Sequence, residues 1–167
     1  MKINRNTSHP SAFISSTFAD LKEERRAVAQ VLAMAGVNVN ALDVKPASND
    51  SSQKEIRNGI KESDFIIVIV GERYGTMNQK ITKLRNLSLT KWEYTVAARW
   101  NSKSALVFFK NISSPRRDQL DDDDSDFDLK RGYLKKFKEE LSARHNPKYF
   151  ETPEDLANEI KKALIPT

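Results

Sequence analysis

The sequence predicts an α/β domain in which a five-stranded parallel sheet is covered by helices on both faces. Three observations carry this. Short apolar runs alternate with segments of helical periodicity along the whole chain. One run, Ile66 to Val70, consists only of β-branched residues, as a central strand buried on both faces requires. The 167 residues suit one hydrophobic core better than two.

Taken in order, residues 1–10 read as a flexible polar tail, and 11–167 as one domain. Ser11 to Ser15 is a short buried strand. A helix is expected from Thr17, whose hydroxyl caps it with Asp20 as capping-box partner, and Gly36 closes it. Leu21, Val28, Leu32 and Ala35 recur on its apolar face. Val37 to Asp43 alternates as a second strand, and a polar loop through Pro46 leads to a helix from about Ser52 to Glu62. Asp64 to Gly71 is the central strand, and Glu72 to Leu89 lacks strong periodicity. Thr90 is expected to cap a helix reaching Asn101, with Glu93 at the N3 position of a capping box. Ser104 to Phe109 is the fourth strand. The loop 111–126, with its acidic run Asp121 to Asp124, precedes a helix from Phe127 to Ala143. Lys148 to Phe150 is the last strand, and Thr152-Pro153 opens the last helix with cap and N1 proline in order. Five such units predict a flavodoxin-like three-layer sandwich with strand order 2-1-3-4-5. In that topology a ligand binds beyond the carboxyl ends of the strands, near the switch point. The loops after Ile14, Val70 and Phe109 are therefore the places to look.

Composition narrows the function classes. Charged residues make up 31% of the chain and hydrophobic ones 38%, values of a soluble globular protein. No run approaches the length needed to span a bilayer, the amino end lacks the apolar stretch of a secretory signal, and a cytoplasmic setting is expected. Cysteine is absent, which removes disulfides, thiolate nucleophiles and Cys-ligated zinc. His9 and His145 lack metal-ligand spacing, and the acidic run lacks the glycine and terminal glutamate of a calcium loop, so no metal is expected. The net charge is +5, but the basic residues are interleaved with acids, which argues against nucleic acid as partner. No P-loop, GxGxxG or GxSxG pattern occurs.

The candidate site residues lie where the topology points. Ser15, Ser16 and Thr17 follow the first strand; they either line an anion site or cap a helix. Arg25, near the apolar face, either pairs with an acid or reaches a ligand. Arg73 and Tyr74, framed by Gly71 and Gly75, follow the central strand; Arg73 clamps a phosphate or packs on Tyr74. Glu93 is either a cap or a carboxylate facing the same crevice, able to stabilise or attack an oxocarbenium ion.

The segments Phe13-Ile14-Ser15-Ser16-Thr17-Phe18, Asp20-Leu21, Glu24-Arg25, Pro46-Ala47-Ser48, Glu62-Ser63-Asp64, Gly71-Glu72-Arg73-Tyr74-Gly75 and Ser88-Leu89-Thr90-Lys91-Trp92-Glu93-Tyr94 together resemble a TIR-like domain family, over about Ala12 to Lys110. Members often sit at the amino end of NACHT or AAA-type NTPases. The resemblance implies kinship with TIR domains and nucleoside deoxyribosyltransferases, in which a glutamate at the position matching Glu93 acts on an N-glycosidic bond. It implies Glu93 as catalytic residue, with Ser15, Ser16, Thr17, Asp64, Arg73, Tyr74 and Trp92 around the substrate. The basic insertion Met77 to Leu87 departs from a minimal loop and bears on access to the crevice. The function so implied is action on NAD or a related nucleotide in immune or antiphage signalling. NAD enters as substrate, no cofactor is needed, and activity accompanies self-association or docking to another signalling domain. A non-catalytic self-association module and a sensor of a nucleotide-derived signal are the alternatives.

Overall fold

The computed structural model describes residues 9–18, 20–40, 50–113, 115, 119–121 and 127–164, with the side chains of 50–52 excepted. Residues 1–8 of the expected tail 1–10, the segment around Pro46-Ala47-Ser48 and Asp122 to Asp124 lie outside the described residues.

Five parallel strands form one sheet: β1 (Ser11–Ser16), β2 (Asn38–Asn40), β3 (Phe65–Val70), β4 (Ser104–Lys110) and β5 (Lys148–Phe150), in the order β2-β1-β3-β4-β5. This is the expected flavodoxin-like arrangement. All six residues of β3 are buried, and each contributes about 1.5–3 kcal/mol of transfer free energy. Strand alternation sorts the core into two halves. Ile14, Ile67, Ile69 and Phe108 meet α1 (Lys22–Met34) and α6 (Pro153–Leu164) on one face. Phe13, Val68, Val70 and Phe109 meet α2 (Asp50–Glu62), α4 (Leu89–Tyr94) and α5 (Phe127–Arg144) on the other.

The helices differ from expectation at instructive places. α1 begins at Lys22, five residues after the expected Thr17, and Leu21 occupies its N-cap without a side-chain bond. Thr17 instead donates from Oγ1 to Asp20 Oδ1 within the preceding loop. Gly36, in the left-handed region at φ 75°, ends α1 with the expected reversal: its N–H bonds Ala33 O at 3.1 Å and the Val37 N–H bonds Leu32 O at 2.9 Å. Ala35, expected on the apolar face, is exposed because it is already the C-cap. Glu24 takes a buried position and pairs with Lys110 Nζ at 2.6 Å. β2 covers Asn38–Asn40, and residues 41–43 of the expected strand lie outside the described ones.

The stretch after β3 contains a single short helix, α3 (Gln79–Thr82), capped by Asn78. α4 is capped by Ser88, whose hydroxyl accepts the Lys91 N–H at 3.2 Å, and not by Thr90. Beyond Tyr94 the coil widens into a π-helical segment, Thr95–Trp100, where the Thr95 hydroxyl donates to Lys91 O at 2.8 Å. α6 starts as the sequence predicts: the Asp155 N–H bonds Thr152 Oγ1 at 3.1 Å and the Thr152 N–H returns to Asp155 Oδ2 at 3.2 Å.

Candidate active site at the carboxyl edge of the sheet

β1 ends in two consecutive serines, and alternation sends their side chains to opposite faces of the sheet. Ser15 points to the α4 side. Its buried hydroxyl donates to Glu93 Oε1 at 2.6 Å, with the Thr90 carbonyl as a longer contact at 3.4 Å. Ser16 points to the α1 side, where its Oγ accepts from Arg25 Nη1 at 2.9 Å. A carboxylate from one helical layer and a guanidinium from the other therefore meet at one strand end.

Glu93 reaches this place because α4 starts at Ser88 rather than Thr90. The carboxylate then lies in the second turn, beyond reach of any capping box, and on one face with Thr90 against β1. Glu93 is therefore not part of the helix cap that the sequence allowed. Burial pushes the Glu93 carboxyl up to about 7, against the opposing effects of the Ser15 hydrogen bond and the Arg25 charge. Arg25 also lies 5.9 Å from the centre of the Phe18 ring, which is half exposed at the rim.

A second wall is built by Gly71-Glu72-Arg73-Tyr74-Gly75, directly after β3. A Cβ at Gly71 would stand 3.2 Å from Asp20 Oδ2, and one at Gly75 would stand 2.8 Å from Thr17 Cγ2. The loop after β1 thus packs against the loop after β3. Asp121 holds this wall from beneath. Its fully buried carboxylate accepts the Tyr74 N–H at 2.7 Å and the Gly75 N–H at 3.1 Å, and lies 3.9 Å from Arg73 Nε. Burial raises the Asp20 carboxyl above its usual range; the Thr17 hydrogen bond and the Arg73 charge oppose this and the Asp121 charge adds to it. Gly75 sits at φ 97°, a region that L side chains rarely adopt. Gly75→Ala is accordingly expected to destabilise the protein by about 1–3 kcal/mol, read as a lowered Tm in thermal denaturation.

The predicted site residues divide into three groups. Ser15, Ser16 and Glu93 converge with Arg25, and Thr17 and Arg73 line the adjoining wall. Tyr74 is a strut: its ring is buried, its hydroxyl donates to Asn86 O at 2.8 Å and accepts the Ser88 N–H at 3.2 Å, tying the wall to the start of α4. Two residues are placed elsewhere. Asp64 lies at the amino edge of the sheet, where Oδ2 accepts the Ser11 N–H at 2.7 Å, because it precedes β3 instead of following it. Trp92 is fully buried in the core, with the Arg57 guanidinium 5.5 Å from its ring. α4 turns Trp92 away from the face that carries Glu93. Sequence reasoning missed Asp121, read as part of a solvated acidic run. Its position after β4, in a loop that the topology nominates, was the available signal. Among the described residues no group of acidic or histidine side chains is placed to hold a metal ion, and no helix is long and apolar enough to cross a membrane.

The family model described as a domain of unknown function, DUF4062, matches residues 11–165. The chain belongs to that family. No curated protein matches this DUF4062 domain in sequence. Among solved structures it is similar to the Clostridium botulinum CMP N-glycosidase BcmB, at 15% identity and a TM-score of 0.52, covering 91% of this chain and 98% of that one. It is similar also to the TIR domains of the activated Roq1 resistosome, which directly recognises the pathogen effector XopQ. That match has 13% identity and a TM-score of 0.55, covering 93% of this chain and 99% of the other. At such identities the likeness is one of fold: the DUF4062 domain has the fold shared by TIR domains and this N-glycosidase.

Proposed function

We propose that this DUF4062 domain cleaves the N-glycosidic bond of NAD or a related nucleotide, with Glu93 as the catalytic carboxylate. The observation that carries this reading is the Ser15–Glu93 hydrogen bond of 2.6 Å beside the Arg25–Ser16 pair, at the strand ends where this topology binds ligands. A buried carboxylate held by one hydroxyl is suited to oppose positive charge in a site that excludes water. When the C1′–N bond breaks, its electron pair leaves with the base and the charge spreads over C1′ and the ring oxygen. Nicotinamide departs neutral and needs no proton from the protein. Glu93 stabilises the ribosyl cation or bonds to C1′, and water then completes the transfer. Arg25 and Arg73 supply positive charge for the phosphates, and Thr17 lines the approach. The fold is shared with a protein named as an N-glycosidase and with TIR domains named in an assembled resistosome. Both support testing turnover over a wide range of protein concentration, because self-association is part of the proposal.

The test is release of nicotinamide from NAD by purified protein, followed by chromatography between pH 5.5 and 8.5. The working form of Glu93 is the carboxylate, so the rate is expected to rise with pH and level off, with a midpoint near 7. Absence of base release from NAD and from nucleoside monophosphates at every concentration would defeat the reading. A rate that falls as pH rises through 7 would assign Glu93 the opposite role, that of a proton donor.

A further inference from the structure

A concave surface lies against α5, and neither Glu93 nor Ser15 nor Arg25 lines it. β5 is the edge strand and pairs with β4 through only Lys148, Tyr149 and Phe150. α5 directs Leu134, Phe137 and Leu141 into the core and leaves Tyr149 uncovered, 66% exposed. The Tyr149 and Phe109 rings meet in a T-shaped pair at 5.6 Å and 81°, which leaves most of Tyr149 exposed. Between this aromatic floor, α5 and the residues just after β4 runs a groove of about 750 Å³. That volume falls within the range of sites for small organic ligands.

The rim of the groove is basic. Among the described residues Arg131, Lys135 and Lys138 line it against two carboxylates, Glu72 and Glu139; Lys110 borders it too, but its ammonium is held by Glu24 at 2.6 Å. Arg131 and Lys138 share one of these, at 3.1 and 3.3 Å from Glu72, so a single negative charge faces two cations. Lys138 Nζ also lies 5.9 Å from the centre of the Phe109 ring, which draws positive charge over the aromatic floor. Lys135 is exposed on the same stretch of α5. An exposed aromatic ring beside an excess of fixed cations matches a ligand with a planar ring at one end and a phosphate at the other.

We propose that this groove is a second ligand site, separate from the Glu93 centre, for a small phosphorylated aromatic molecule of the mononucleotide kind. The ring stacks on Tyr149, and the phosphate sits among Lys135, Lys138 and Arg131. The proposal does not depend on catalysis by Glu93. It does place the ligand next to the site wall, because Glu72, which Arg131 and Lys138 hold, is the immediate neighbour of Arg73.

The test is calorimetric titration of the full chain with AMP, adenosine, inorganic phosphate and a short single-stranded oligonucleotide. Tyr149 and Lys135 are exposed, so Tyr149→Ala and Lys135→Glu are expected to keep the fold, checked by circular dichroism. AMP is expected to bind the native chain and Glu93→Gln alike, and to bind Tyr149→Ala about tenfold more weakly, the usual effect of losing one stacked base. Lys135→Glu is expected to weaken it at least as much. The proposal fails if AMP does not bind, or if both rim variants bind it normally. It fails equally if Glu93→Gln or Ser15→Ala alone abolishes binding, if phosphate binds as tightly as AMP, or if only the oligonucleotide binds.

Discussion

Glu93→Gln is expected to reduce base release from NAD by about a thousandfold, the scale on which enzymes lose a positioned catalytic side chain. The same variant is expected to be more stable than the native protein at pH 8. The carboxyl of Glu93 is raised from 4.5 to about 7 by burial, so the folded protein holds this proton more tightly than the unfolded chain does. Its contribution to stability is fully present below about pH 4.5 and is lost as pH rises through 7. Above that, the native chain keeps a buried negative charge at a cost of about 3 kcal/mol, which a neutral amide avoids. Glutamine retains an oxygen to accept the Ser15 hydrogen bond. The measurement is therefore paired: nicotinamide release, and Tm at pH 5 and pH 8. Activity lost with no gain of stability at pH 8 would mean that the carboxylate is not buried as described.

Asp121→Ala is expected to produce the largest loss of stability. The substitution strands the Tyr74 and Gly75 N–H groups in the interior and removes the carboxylate beside Arg73. Breaking a buried, hydrogen-bonded charge in this way typically costs about 3–5 kcal/mol. For a chain of this size that is a fall in Tm of about 10 °C. Asp121→Asn keeps one acceptor oxygen and separates the two causes. A small loss with Asn and a large one with Ala would assign most of the effect to the backbone hydrogen bonds. A Tm within a degree or two of native for Asp121→Ala would show that the Tyr74-Gly75 turn is held by other means.

Much of the architecture was legible because it rests on local pattern. The β-branched run Ile66 to Val70 identified the central strand, and the alternation of elements was enough to give the sheet order, hence the edge at which this topology places ligands. What could not be read depends on contacts between distant segments. Thr17 and Asp20 form a sound capping pair on paper, but Gly71 and Gly75 draw them into a loop contact, and the helix starts later. Ser88 and Thr90 are both acceptable caps. Tyr74, fourteen positions earlier in the chain, receives the Ser88 N–H and so belongs to the arrangement in which Ser88 caps and Glu93 is free. The π-helical widening after Tyr94 has no counterpart in the periodicity of the sequence. Asp64 shows the limit of a linear motif: it adjoins the central strand, but at the wrong end of it.

The alternation of Ser15 and Ser16 has a further consequence. The carboxylate of Glu93 and the guanidinium of Arg25 belong to helices on opposite sides of the sheet, and only adjacent residues of one strand bring them together. Neither half of the sandwich holds the pair alone. An isolated βα fragment, however well folded, contains one partner without its counterpart, so the chemistry proposed for the pair requires the closed three-layer body and not a smaller excised piece.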